Sequence, residues 1–263
     1  MNFVSLGGVG QFVPPSPADF RLPPVFGDSV LFTKPFFLMV LSAVIVLGFF
    51  LASSRNPSMV PSRLQFAGEQ AYGWVRNSLG RDIIGTRDFQ RFVPFLVALF
   101  FFILVNNYFA LVPFVQFPTL SLIGFVYVLG ALSWFLYIGV GIKRFGFGGY
   151  LRRQSIPAGM HGPIILLVAP FEFLSNILVR PITLTLRLWA NLFAGHILLL
   201  LFALGGEYLI VESDNPFLVP AGILSLLMGV LMSFLEILVL GLQAYIFTLL
   251  TSMYISSSLA EEH

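Results

Sequence analysis

The sequence contains no cysteine and few charged residues. Without cysteine, disulfides, thiol nucleophiles and thiolate metal sites are excluded. The three histidines, at positions 161, 196 and 263, are too far apart in the sequence to indicate a metal cluster, and we expect no cofactor. Only 10% of the residues are Asp, Glu, Lys or Arg, whereas a soluble domain has about 25%. The formal net charge of +2 is too small to favour nucleic acid as a partner.

The chain is rich in hydrophobic residues, which make up 57% of it, and its mean hydropathy is +0.92. We therefore predict an all-α membrane protein with about five membrane-embedded helices. The two longest apolar segments would measure roughly 60 Å as helices, against a hydrocarbon core of about 30 Å. We expect them to form a long, strongly tilted hairpin, with two broken, re-entrant helices as the alternative. The predicted spans are 36–52, 92–112, 120–142, 163–204 and 217–257.

The rest of the chain divides into an arm and two basic loops. Residues 1–30 are rich in Gly and Pro and predict an N-terminal external arm, followed by a single integral membrane domain over 31–263. The arm has no apolar core of signal-peptide length, so we expect no cleaved signal. Within 53–91, Ser62 and Gln65 resemble a capping box and start an amphipathic pattern. This pattern predicts a surface amphipathic helix on the membrane, with an ordinary soluble helix as the alternative.

Basic residues predict the orientation in the membrane. The loops at 53–91 and 143–162 hold ten of the fourteen Lys and Arg, whereas 205–216 holds three acids and no base. Both basic loops fall on the same side of the five predicted spans. The positive-inside rule then places the N-terminus outside and the C-terminus in the cytoplasm.

Arg187 is the most informative residue, because it lies deep inside an apolar segment with about sixteen mostly apolar residues after it. Its guanidinium stays protonated, and a charge near the bilayer centre costs about 3 kcal/mol on insertion scales. Snorkelling to the headgroups suits Arg180, nearer the start of the segment, but not Arg187. Glu172, about 22 Å towards the inside from Arg187, is a further candidate for proton exchange.

A second polar set lies on the last segment. If Gln243 faces Arg187 in an antiparallel hairpin, the turn falls at Asn215-Pro216, and His196 comes within about 3 Å of the level of Glu236. His196 and Arg187 project to opposite sides of their helix, so we expect either a helix deviation near Ala194-Gly195 or water between His196 and Glu236. A buried ion pair with a purely structural role is the alternative. Asn106 and Asn107, on the second span, fit either a brace between helices or a part in transport.

Two stretches resemble a known family, the subunit a family of the F-type ATP synthase. They are Leu184-Thr185-Leu186-Arg187-Leu188-Trp189-Ala190-Asn191-Leu192-Phe193-Ala194-Gly195-His196 and Leu242-Gln243-Ala244-Tyr245-Ile246-Phe247, with weaker support from Val105-Asn106-Asn107-Tyr108 and Glu261-Glu262-His263. By this resemblance Arg187 is the stator arginine that faces the ring of c subunits, Gln243 is its partner, and Asn191 lies one turn along. Some members carry an acid where this chain has His196 and a histidine where it has Glu236. The family's acid on the second span corresponds to Ala110, which leaves Asn107 as the expected participant there.

The resemblance implies a proton-translocating stator subunit of a rotary ATP synthase. It would provide two offset aqueous half-channels to the c-ring, with Arg187 between them, His196 and Glu236 towards the outside and Glu172 towards the inside. It would be a non-catalytic subunit, with no active site of its own, in a bacterial plasma membrane. Its implied partners are the c-subunit ring, the b subunits of the peripheral stalk, the remaining complex and the lipid bilayer. A self-contained ion channel or secondary transporter is the alternative, although the repeated halves typical of transporters are absent from the sequence.

Overall fold

The computed structural model describes residues 14–15, 33–55, 58–112, 115, 117–155, 164–212 and 216–260. The predicted N-terminal arm lies outside these residues except for positions 14 and 15. His161, Asn215 and the tail 261–263 lie outside them as well.

Within the described ranges the chain is almost entirely helical and contains no strand, which confirms the all-α class. Four helical runs are long and apolar enough to cross a membrane, namely Lys34–Ser54, Ile123–Ser155, Val168–Glu212 and Pro216–Leu259, and Val93–Tyr108 is a shorter apolar helix. The α-helices are α1 (Lys34–Ser54), α2 (Arg63–Trp74), α3 (Asp82–Ile84), α4 (Val93–Tyr108), α5 (Ile123–Ser155), α6 (Ile164–Leu174), α7 (Arg180–Glu207) and α8 (Val219–Leu259).

The amphipathic helix α2 begins where the capping pattern predicts. The Ser62 hydroxyl accepts a hydrogen bond from the Gln65 backbone N–H at 3.3 Å, which satisfies one free donor of the first turn. The Gln65 side chain does not complete a reciprocal box, because its Oε1 accepts from the Ser58 backbone N–H and hydroxyl, both at 3.3 Å, and not from the Ser62 backbone N–H. Gly68 packs directly against Ser53, which brings α2 onto the end of α1. The exposed Phe66 then lies on the surface of the bundle.

The core is built around α4, which packs against α1 on one side and α8 on the other. Leu96 and Ile103 of α4 are fully buried together with Leu188 of α7 and Phe247 of α8. The Asn106 side chain is buried and donates to the Ser42 hydroxyl of α1 at 2.7 Å. A hydrogen bond between helices satisfies a polar group that the bilayer could not solvate, and it fixes the position of α1 on α4.

Helix α5 continues beyond its predicted span but bends sharply at Gly146. The backbone φ of this residue is +73°, a conformation that glycine adopts without the steric cost of a side chain. The segment after the bend folds back, so that Tyr150 packs against Gly141 and the Arg153 guanidinium lies 3.9 Å from the centre of the Phe145 ring. This arrangement keeps the basic end of α5 close to the bundle.

The two longest helical runs form the predicted hairpin. The backbone stays helical from Ile164 to Glu212, with widened turns at Ser175–Val179 and Tyr208–Glu212, so the re-entrant alternative does not apply to the described residues. Near the loop end of the hairpin, a Cβ placed on Gly222 would lie 3.0 Å from the Gly206 carbonyl oxygen. Helices of roughly 60 Å cross a core of about 30 Å only when they are tilted.

The orientation in the membrane gives the first prediction. Cysteines introduced as Glu212→Cys and Arg152→Cys, both at exposed positions of this cysteine-free chain, should react with a membrane-impermeant thiol reagent from opposite sides. Glu212→Cys should react from outside, because it flanks the acidic loop. Inverted and right-side-out vesicles distinguish the two, and labelling of both positions from one side would contradict the five-span topology.

Candidate functional site

A hydrogen bond between two side-chain amides joins α7 to α8. The Asn191 Nδ2 donates to the Gln243 Oε1 at 2.9 Å. Gln243 is only 3% exposed, and its own Nε2 has no hydrogen-bond partner among the described residues. We expected Gln243 to pair with Arg187, and in the structure it pairs with Asn191, one turn further along the same face.

Arg187 is exposed on the surface of the bundle. No hydrogen bond or salt bridge from the described part of the chain reaches its guanidinium. The surface around it is apolar, with Leu186 39% exposed on α7 and Leu242 48% exposed on α8. A permanent positive charge therefore lies on an apolar helix face that none of the described residues covers. In a bilayer such a charge is stable only when water or another protein surrounds it.

The Glu236 carboxylate lies against the backbone of α7 at Gly195. A Cβ placed on Gly195 would be 3.0 Å from the Glu236 Oε1, a tight contact that the glycine avoids. Glu236 is 5% exposed, and neither of its oxygens accepts a hydrogen bond from the described residues. Gly195 precedes His196, so the Glu236 carboxylate lies near this half-buried histidine. The two side chains are not joined by a direct hydrogen bond. Helix α7 runs without interruption through Ala194 and Gly195, so the expected deviation is not observed.

Asn107 connects the second span to the same region. Its Nδ2 donates to the Leu240 carbonyl of α8 at 2.9 Å, and its side chain is fully buried. Leu240 lies between Glu236 and Gln243, so the bond fixes α4 against the polar part of α8. This contact is an interhelical brace, one of the two roles that the sequence suggests for Asn107. The Asn107 Oδ1 has no hydrogen-bond partner in the described residues.

Glu172 lies apart from the other candidates, on α6. The Asn176 Nδ2 donates to its Oε1 at 3.3 Å and also to the Gln154 carbonyl of α5 at 3.0 Å. Asn176 is not among the predicted residues, although its position four residues after Glu172 is the spacing at which helical side chains meet. Arg180 was expected to snorkel; its guanidinium instead lies 5.3 Å from the centre of the Tyr254 ring of α8.

Four of the seven candidates form a seam between helices rather than a ligand pocket. A cavity of about 500 Å³ lies between α1, α2 and α4, and none of the seven candidates lines it. The seam, defined by Arg187, Asn191, Gly195, Glu236 and Gln243, follows the contact of α7 with α8. Its amides suit the binding of water, and its carboxylate suits the exchange of protons.

A bundle of apolar helices with ionisable side chains between its two longest members is an integral membrane protein of the kind that handles ions. Comparison with known proteins makes this specific. The family model described as ATP synthase A chain matches residues 36–256, and the chain belongs to this family. It is 55% identical to ATP synthase subunit a of Nocardioides sp., over 96% of this chain and 95% of that protein. It is 42% identical to ATP synthase subunit a of Pseudarthrobacter chlorophenolicus, over 97% and 96% of the two chains, and 38% identical to that of Streptomyces lividans, over 95% and 89%.

The Asn107 brace gives the second prediction. Asn107→Ala should lower the free energy of unfolding by about 1–3 kcal/mol, because the Leu240 carbonyl loses its buried donor. Tyr108→Phe is the matched control, since the Tyr108 hydroxyl makes only a long contact of 3.4 Å to the Ile237 carbonyl. Thermal unfolding of the purified protein in detergent measures both variants. Equal stability of the two would show that Asn107 does not brace α4 against α8.

Proposed function

We propose that this chain is the proton-translocating stator subunit of a rotary ATP synthase in a bacterial plasma membrane. In this proposal it offers two offset aqueous half-channels to a ring of c subunits, and Arg187 separates them. Membership of the ATP synthase A chain family supports the assignment to this complex. The subunit supplies no active site of its own and works with the c-ring, the b subunits and the rest of the complex.

The exposed guanidinium of Arg187 is the observation that carries the proposal. It projects from an apolar face of α7 that no other helix of the described chain covers. A charge in that position calls for a partner that brings a carboxylate and excludes lipid. A ring of small subunits that presents one carboxylate after another meets both requirements. The neighbouring Asn191–Gln243 amide pair keeps a polar surface next to the guanidinium.

The outer half-channel would deliver protons along the α7–α8 seam. Glu236 is buried, and its oxygens accept no hydrogen bond from the described residues. Its carboxylate contacts Gly195, the residue before His196. A carboxylate and an imidazole are groups that exchange protons near physiological pH. Because they do not bond directly, water between them would carry the proton, and Asn107 would hold α4 in place beside them.

The inner half-channel would begin at Glu172. Its carboxylate lies on the segment of the chain closest to the basic loops, where it accepts a hydrogen bond from Asn176. A c-ring carboxylate neutralised at the outer channel could rotate through lipid and release its proton here. It would then pass Arg187 as an anion, and the fixed cation would prevent a continuous path for protons. Each elementary charge that crosses the membrane releases about 2.3 kcal/mol per 100 mV.

The direct test is the loss of the Arg187 charge. Arg187→Ala should abolish proton-driven ATP synthesis and permit a passive proton leak, because nothing then separates the half-channels. Arg187→Lys should also fail in coupling, since an ammonium loses its proton more readily than a guanidinium when it is desolvated. Synthesis and proton flux are measured in reconstituted vesicles, with assembly checked separately. The control is Arg63→Ala, which removes an exposed arginine of α2. Near-normal synthesis in an assembled Arg187→Ala complex would contradict the proposal.

A further prediction concerns the outer pair. His196→Ala or Glu236→Ala should slow proton flow by about 10²-fold, the usual contribution of a positioned proton-transfer group. The exchange of the two, His196→Glu with Glu236→His, should restore part of the flow, because the same groups remain at the same level of the membrane. A double variant as slow as the slower single variant would mean that the two residues do not act as a unit.

A further inference from the structure

The helix that carries Arg187 follows a widened turn at Ser175–Val179. There the Arg180 backbone N–H donates to the Ser175 carbonyl, five residues back. In a regular α-helix the same N–H would donate four residues back, to the Asn176 carbonyl. The turn therefore takes in one extra residue and leaves the Asn176 carbonyl without its usual donor.

Pro181 frees a second carbonyl immediately afterwards. The Ile177 carbonyl would normally accept from the backbone N–H of residue 181, and proline has none. A free carbonyl inside a bilayer is costly, so it needs another donor. The Trp134 Nε1 of α5 supplies one at 2.8 Å.

A second aromatic side chain of α5 reaches the other free carbonyl. The Tyr137 hydroxyl donates to the Asn176 carbonyl in a long contact of 3.5 Å, and Tyr137 is only 1% exposed. Trp134 and Tyr137 are three residues apart, so they lie on one face of α5. Two donors on one helix thus match two consecutive carbonyls, one freed by the widened turn and the other by Pro181, and these bonds hold the turn against α5.

The extra residue changes which side chains share a face. Glu172 and Arg180 are eight residues apart, which in an unbroken helix separates them by about 80° around the axis, at 100° per residue. With one residue absorbed in the turn, the angle falls to about 20°, the same as between Arg180 and Arg187. Because the two steps add in the same direction, Glu172 lies about 40° from Arg187, where an unbroken helix would place it about 60° away on the other side. The three residues then span about 40° around the axis instead of about 80°.

We propose that the clamp of Trp134 and Tyr137 on the Ser175–Val179 turn is a positioning device that sets the rotation of Glu172 relative to Arg187. It rests on the proposed function, since its purpose is to align the inner carboxylate with the separating cation. Neither clamp residue exchanges protons itself; each acts by holding the backbone of the turn.

The test removes one donor and then supplies another. Trp134→Phe keeps the aromatic ring but leaves the Ile177 carbonyl unpaired, and the proton-driven ATP synthesis of the assembled complex should fall between about tenfold and about 10²-fold. Adding Pro181→Ala to the same chain provides a backbone N–H for that carbonyl and should restore most of the activity. The number of protons pumped per ATP hydrolysed should fall and recover in parallel, which a mere loss of assembled complex would not produce.

Two controls separate the clamp from general damage. Tyr127→Phe also removes a hydrogen-bond donor from an aromatic side chain of α5, but at an exposed position. It should leave ATP synthesis unchanged. Phe202→Cys with Gly229→Cys reports the packing of α7 on α8, because a Cβ on Gly229 would lie 3.4 Å from that of Phe202, close to disulfide geometry. This disulfide should form equally well with and without Trp134→Phe.

Full synthesis in Trp134→Phe, or a loss that Pro181→Ala does not relieve, would overturn the inference. If Trp134→Phe does not assemble, Tyr137→Phe takes its place with a reduced pumping ratio as the expected result, and an unchanged ratio would overturn the inference. Arg187→Ala in the same vesicles tests the proposed function separately. Loss of synthesis in Arg187→Ala but not in the clamp variants would refute only the clamp.

Discussion

The packing of α7 on α8 is the constraint on which the rest of the structure depends. Each helix is too long to stand upright in a bilayer, and each is largely exposed on its outer side. Their close approach at Gly206 and Gly222 and the amide bond from Asn191 to Gln243 fix one helix on the other. The buried Glu236 lies in this contact beside Gly195, whose missing side chain leaves room for the carboxylate.

The other helices support this hairpin from one side. α4 reaches it through the bond from Asn107 to the Leu240 carbonyl, and α5 holds the turn before α7 through Trp134. The opposite side of the hairpin remains apolar and exposed, with Arg187 as its charged residue in the middle of α7. This asymmetry is what the proposed stator needs, because a rotating partner requires a smooth apolar surface with one fixed charge.

Composition and periodicity predicted the helical class and the long hairpin, since both depend only on how many apolar residues follow one another. They also identified Arg187, Glu236 and Gln243, because an ionisable or amide side chain in an apolar run is conspicuous in the sequence. We expected Arg187 opposite Gln243, and in the structure Asn191, one turn along the same helix, donates to Gln243. A helical face groups Arg187 and Asn191 together, and which of the two reaches across depends on the distance between the packed helices.

The sequence by itself determined which side chains lie in the membrane, because the length of an apolar run and the positions of charge within it are local properties. Only the tertiary structure decided how those side chains face one another. Pro181 is visible in the sequence, but the donor for the Ile177 carbonyl that it leaves free is Trp134, 43 residues before Ile177. A contact between residues so distant in the sequence depends on how α5 packs against α7, which no local pattern encodes.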